Sequence, residues 1–327
     1  MNRRRAVSAL AGLALWPALA RAQRTGRPTA RRLPVVGLLI THPPVNDRVV
    51  DKLREGLLHF QYQDGNNYRL EVRSARGHLD RLPELIDELA GQVDVLVVVN
   101  EFALRAAQQA TDQIPIVMIG LMDDPVELGI IESYRRPGGN VTGVFNVNAE
   151  LSGKRLEILK DALPGIRRVA VIWDGFGTRQ LAEMKSAARF LEIELDTIEI
   201  ESGNDLEAAF SEARAGGANA VQMNFSPVFW VNRRRIATLA IENNMPTMCD
   251  NPILARSGCL LAYGADNDYN WARGAYFVER LLNGANAAVL PVERLSRLNL
   301  AVNLETARVL DVPIPQSILL RANEVIR

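Results

Sequence analysis

The chain has 327 residues, with 38 Lys and Arg against 38 Asp and Glu, a length that suggests about two domains with real hydrophobic cores. Residues 1–22 hold four of the arginines and no acid, so the remainder carries 34 basic and 38 acidic side chains; this mild acidity gives no phosphate-neutralising surface and argues against a nucleic-acid partner. Two cysteines, Cys249 and Cys259, exclude a fold built on a disulfide framework; buried free thiols are the favoured reading, with a pair in an oxidising periplasm as the open alternative.

Residues 1–5 are a basic head, 6–19 an apolar run, and Ala20-Arg21-Ala22 a small–x–small cleavage pattern. Together they predict a signal peptide over 1–22, followed by a linker at 23–33. The run is too short to span a membrane. Arg3-Arg4-Arg5 leaves both the Sec and the twin-arginine routes open, and the expected location is periplasmic.

Residues 33–40 form a continuous apolar run ending at Thr41-His42, which reads as a strand buried on both faces. Val49, Val50, Leu53, Leu57 and Phe60 recur at helical spacing. The spacing then predicts a strand at 70–73, a helix at 80–91, a strand at 93–99, a helix at 103–111 and a strand at 114–119. This alternation implies a parallel sheet with helices on both faces. Residues 136–144 read as a junction, where Gly138 and Gly139 suit a crossover. The pattern restarts with helices at 151–163, 178–191, 205–215 and 231–243. Strands at 169–173, 195–200, 220–224, 246–249 and 260–263 alternate with them, and a further helix is expected at 269–282.

Signatures of phosphate loops, nucleophile elbows and zinc peptidases are absent. His42, His59 and His78 sit in separate elements without ligand spacing, so no metal is expected. Gly175-Phe176-Gly177 precedes a helix, but Gln180 occupies the place of the third glycine of a dinucleotide fingerprint, so no cofactor is expected and a tight turn is the reading. An enzyme would need a nucleophile–base pair, for which Ser226 with His42 is the one pairing available.

In open α/β sheets, ligands sit beyond the carboxyl ends of the strands. The candidates there are Thr41, His42, Asn100, Glu101, Asp123, Asp124, Trp173, Asp174, Gly175, Asn224, Phe225, Ser226, Asp250 and Tyr263. Each has a plainer role beside it. Asn100 is also a natural helix N-cap, and the two roles can coexist. Asp123-Asp124-Pro125 can cap a following helix. Trp173 can fill the core, and core is slightly favoured for the cluster Phe225, Phe229 and Trp230. A bound amino acid would need an acid for its ammonium, from Glu101, Asp123, Asp124 or Asp250.

Four segments carry a resemblance: RPGGNVTGV at 136–144, ELSGKRLEILKDALPGIRRVAVIWD at 150–174, IPIVMIGLMDDPVELGII at 114–131 and LLRANEVI at 319–326. They resemble ABC transporter substrate-binding proteins of the tryptophan/tyrosine-type group, which are similar in fold to type I periplasmic binding proteins. The resemblance implies an α/β chain of two Rossmann-like lobes, each a parallel sheet flanked by helices, joined by hinge strands. Lobe 1 would comprise 34–146 plus 265–292, and lobe 2 would comprise 147–264 plus 293–327. It further implies a monomeric, non-enzymatic protein that closes on a small-molecule ligand and docks on an ABC permease. An exported sensor for a receptor kinase would share that fold and site. Two departures bear on the ligand. Asn100-Glu101-Phe102 stands where the family has a Gly-Thr/Ser-Pro type turn, and Ala262-Tyr263-Gly264 stands where it has Ser-Tyr-Gly. Amino acid, aromatic acid, purine-like and sugar ligands all remain open.

Overall fold

A computed structural model describes residues 32–41, 48–146, 149–175 and 177–327; the expected signal peptide at 1–22 and candidate His42 lie outside the described residues. Residues 33–327 pack as one unit. The first half of the chain forms β1 (Val35–Ile40), α1 (Arg48–His59), β2 (Arg69–Ser74), α2 (Leu82–Ala90), β3 (Val95–Val99), α3 (Glu101–Ala110), β4 (Ile116–Leu121) and β5 (Val141–Phe145). Then follow α4 (Ala149–Ala162), β6 (Arg168–Trp173), α5 (Thr178–Phe190), β7 (Glu194–Glu199), α6 (Leu206–Ala215) and β8 (Ala220–Met223). Next come α7 (Pro227–Glu242), β9 (Thr247–Cys249), α8 (Pro252–Arg256), β10 (Leu261–Ala265) and α9 (Asn267–Leu282). The chain ends with β11 (Glu293–Arg294), β12 (Leu298–Asn303), α10 (Leu304–Val309), α11 (Gln316–Arg321) and β13 (Glu324–Ile326).

Two sheets result. The first has the order β11-β5-β4-β3-β1-β2 and the second β13-β12-β10-β9-β8-β6-β7. All pairings are parallel except β10 with β12. The chain passes from one sheet to the other after Phe145, after Ala265 and after Arg294. β1 is buried along its whole length, and β3 and β4 nearly so, because helices cover both faces of the first sheet. One face packs on Leu85, Ile86 and Leu89 of α2 with Leu104 of α3. The other packs on Val49, Leu53 and Leu57 of α1 together with Trp271, Phe277 and Val278 of α9. Two further clusters cover the second sheet, one around Leu156 and Leu159 of α4, the other around Phe210 of α6 and Ile236 of α7.

The segment 136–144 is not a crossover. It leads into β5, which lies beside β4 inside the first sheet. Gly143 makes this possible: its φ is +127°, and a Cβ there would lie 2.3 Å from the Met118 carbonyl oxygen. Asn140 Nδ2 donates to the carbonyls of Thr111 and Ile114 at 3.0 and 2.9 Å, and Thr142 Oγ1 donates to the Leu290 carbonyl at 2.8 Å. The motif is thus the docking chemistry of a strand whose glycines hide its strand character.

In the second sheet, Arg155 of α4 is fully buried. Its Nε donates to the Tyr263 carbonyl at 2.7 Å and its Nη2 to the Asp250 carbonyl at 3.4 Å. These bonds tie the ends of β9 and β10 to α4. The same two strands touch so closely that a Cβ on Gly264 would lie 1.8 Å from the Asp250 carbonyl oxygen.

The cysteines are buried but not free. Cys249 and Cys259 form a disulfide with Cα atoms 6.5 Å apart. Cys249 ends β9 and Cys259 precedes β10, its neighbour in the sheet; the short α8 between them folds the two ends together. Sequence spacing alone could not show that proximity. A loop of this length constrains the unfolded chain by about 2–3 kcal/mol. Replacing both cysteines by alanine should therefore lower the unfolding free energy by about that amount in urea titration. An unchanged midpoint would mean that the bond adds no stability.

Candidate functional site

The carboxyl ends of the two sheets face each other across a cleft, the place where parallel α/β sheets hold ligands. Its main chamber encloses about 710 Å3, open solvent included. Thr41 follows β1, Asn100 follows β3, Met122 follows β4 and Asn146 follows β5 on one side. Phe225 and Trp230 follow β8, and Asn251 follows β9, on the other. Asn267 and Trp271 of α9 complete it. Among the described residues no ionisable side chain lines this chamber. Three aromatic side chains and several carboxamides suit stacking on a planar group and neutral hydrogen bonding at its edges.

A side chamber of about 640 Å3, again with open solvent included, shares Asn100, Gly120, Met122 and Phe225 with the main one. It adds Glu101, Phe102, Asp123 and the start of α5, Gly177 to Gln180. Here the charges gather. Glu101 pairs with Arg105 at 3.3 Å, and Arg179 pairs with Glu127 at 2.5 Å. Asp123 is half-buried, and among the described residues it has neither a hydrogen bond nor an ion pair. Burial, then repulsion from Glu101, raises its carboxyl above the usual range against the pull of Arg179.

Asn100 joins the chambers. Its φ is 79° and its ψ is 171°, a region adopted freely only by glycine. Its N–H donates to the Ile119 carbonyl at 3.0 Å, its Nδ2 to Thr41 Oγ1 at 2.7 Å, and its Oδ1 accepts from the Ala103 N–H at 3.3 Å. It therefore caps α3 while also lining both chambers.

The remaining candidates lie elsewhere. Asp174 and Gly175 line an adjoining hollow with His78 and Ser202, which shares Gly77, Pro227 and Val231 with the main chamber and Phe102 with the side chamber. Ser226 caps α7, so that helix begins at Pro227 and not at 231, and its hydroxyl donates to Asp174. Asn224 is buried, its Oδ1 without a partner. Trp173 and Tyr263 are half-buried against the core of the second sheet, and the Trp173 Nε1 has no partner. Asp250 is buried; burial raises its carboxyl and the charge of Arg155 opposes that. Asp124 accepts from Tyr134 and, at 2.8 Å, from the Val126 N–H. It caps a turn over 125–129, not the helix expected there.

The main chamber thus gathers Thr41, Asn100 and Phe225, and the side chamber Asn100, Glu101, Asp123 and Phe225. Trp230, although placed in the aromatic cluster by sequence, lines the cleft, whereas its neighbour Phe229 goes into the core. Asn146, Asn267 and Trp271 were not visible as site residues. The last two arrive on a helix that returns from the second sheet, and nothing local in the sequence marks that return.

Two mostly parallel sheets flanked by helices, joined by repeated crossings and facing across a cleft, define a type I periplasmic binding protein fold. Residues 35–326 match the family described as ABC transporter substrate binding protein, and the chain belongs to that family, one of substrate-binding proteins and not of enzymes. A curated relative, the "Tyrosine-binding protein" of Clostridioides difficile (strain R20291), is 22% identical over 285 residues, covering 85% of this chain and 80% of the relative. A conserved domain protein from Vibrio cholerae superposes with a TM-score of 0.82 at 21% identity, covering 90% of this chain and 100% of the other. An ABC domain from Streptococcus pneumonia in complex with L-Trp gives a TM-score of 0.81 at 20% identity, covering 90% and 99%.

Asn100 offers a test of the strained backbone. Asn100→Ala loses two buried side-chain bonds and should cost about 2–3 kcal/mol. Asn100→Gly loses the same bonds but relieves the backbone, so it should cost about 1–2 kcal/mol less. Urea unfolding of the two variants side by side would measure the gap; equal losses would show that position 100 carries no strain.

Proposed function

We propose that this chain is the extracytoplasmic solute-binding component of an ABC importer and that it closes by hinge motion on a small ligand with an aromatic body, an aromatic amino acid in the first instance. The carrying observation is the main chamber, with Phe225, Trp230 and Trp271 among carboxamides and no ionisable group among the described residues. The tyrosine-binding relative and the neighbour solved with L-Trp support this reading. Thr41, Asn100, Glu101, Asp123 and Phe225 are proposed ligand contacts from the sequence set, joined by Trp230 and Trp271.

The proposed lobes are the two sheets with their helices. α9 belongs to the first, and because β11 pairs with β5 that lobe extends to Arg294. Export rests on the basic head, apolar run and Ala20-Arg21-Ala22 of the sequence, and the disulfide suits an oxidising compartment. The closed form would then dock on a membrane permease.

Calorimetry with L-tryptophan and L-tyrosine tests the ligand class. Trp230→Ala and Phe225→Ala should each weaken binding about tenfold, since stacking adds roughly 0.5–1.5 kcal/mol beyond area burial. Both side chains are half-buried, so the fold should survive. Wild-type protein that binds neither amino acid would sink the ligand class; unaffected variants would mean that the ligand lies elsewhere.

A further inference from the structure

Charge is divided unevenly between the two chambers. The ionisable groups lining the side chamber are Glu101, Asp123 and Arg179, two acids against one base. The base is engaged by Glu127, and Glu101 is engaged by Arg105. Asp123 alone has no ion pair or hydrogen bond among the described residues, although it is half-buried.

A second unsatisfied acceptor belongs to a residue that lines the same chamber from the opposite sheet's helix α5. Gln180, in the first turn of α5, is only 4% exposed and lines the chamber. Its Oε1 is buried without a hydrogen-bond partner. A buried acceptor left in that condition costs free energy, and native proteins rarely leave one without a use. Asp123 comes from the segment after β4 and Gln180 from α5, so the residues that carry the two acceptors line one space from both sheets.

The group that satisfies such a space is a cation rich in donors. An anion would meet two carboxylates. A neutral hydroxyl would leave the charge of Asp123 uncompensated. A primary ammonium offers three N–H donors and one positive charge in a compact volume.

We propose that the side chamber is a primary-ammonium subsite, in which Asp123 supplies the opposing charge and Gln180 Oε1 a second acceptor. The ligand then lies across the shared opening at Asn100 and Met122, with its amine beside α5 and its aromatic body between Phe225 and Trp230. This rests on the aromatic-ligand reading above and adds an orientation and a required functional group to it. Because the amine is gripped from both sheets, it is also the part of the ligand that ties them together.

The experiment compares each aromatic amino acid with its deaminated analogue: L-tryptophan with 3-indolepropionate, and L-tyrosine with 3-(4-hydroxyphenyl)propionate. Calorimetry is run on wild type, Asp123→Asn and Gln180→Met, with thermal unfolding of each ligand-free protein. Whichever amino acid binds wild type should lose about 30-fold or more in affinity when its amine is removed. Asp123→Asn should weaken the amino acid by a similar factor and leave the deaminated analogue within threefold. It should not lower the melting temperature, because no hydrogen bond or ion pair is lost and burial with repulsion from Glu101 outweighs the pull of Arg179 on that charge; a merely structural role would lower it. Gln180→Met should weaken the amino acid by about fivefold or more. If the amino acid binds wild type and both variants within threefold of one another, or if the deaminated analogue binds as tightly, the subsite is overturned while the aromatic reading stands. If wild type binds neither amino acid, the aromatic reading and the subsite fall together.

Discussion

The wall of the cleft depends on the buried guanidinium of Arg155. A cation fully removed from water costs several kcal/mol unless acceptors surround it. Here the acceptors are the backbone carbonyls of Tyr263 and Asp250, with the nearby Asp250 carboxyl favouring the charge that burial opposes. The arrangement is better read as a geometric clamp than as a source of stability, since buried charges seldom outperform apolar packing. What it fixes is the point where β9 and β10 end. Asn251, just past β9, and Ala265, the last residue of β10, line the main chamber. The disulfide and the close contact at Gly264 hold the same two strands, so this wall is set by several independent constraints at once.

How far the fold could be read from the chain varied with the chemistry of each segment. Apolar runs such as 35–40 and 95–99 announced strands covered on both faces, and the alternation with amphipathic helices announced the α/β class. β5 was hidden because its docking needs Gly143 against Met118 and polar anchors at Asn140 and Thr142, which read as a loop. The disulfide was hidden because a pairing across neighbouring strands depends on α8 folding back. Arg155 sat inside a quoted motif, yet a lone arginine on a helix gives no sign that it points inward. For the candidate site, strand-end reasoning reached the side of the cleft built by β1, β3 and β4, and on the other side Phe225 after β8. It could not reach Trp271, because which face of a helix turns to a cleft is decided by distant packing. It also did not separate Trp230 from Phe229, adjacent residues with opposite destinations.

The proposed ligand would meet two physically different chambers. Aromatic stacking is tolerant of identity and gains from area, while a buried charge is intolerant and gains only when matched. Trp230 and Trp271 line the chamber without a carboxylate, while Glu101 and Asp123 line the other, with Phe225 common to both. Asn100 sits at the boundary with its backbone held in a conformation that no side chain prefers. Its three hydrogen bonds maintain that boundary, which is where a strained residue has a reason to persist.

Gly264 has a consequence for anyone wishing to redirect this protein to another ligand. Any side chain there would collide with the Asp250 backbone, which no rotamer change can relieve. Position 264 is therefore closed to variation, and diversity introduced there would be spent on misfolded variants. Phe225 and Trp230, just beyond β8, and Asn267, at the start of α9, line the main chamber. A library confined to those three positions would reshape the chamber while leaving its foundations in place.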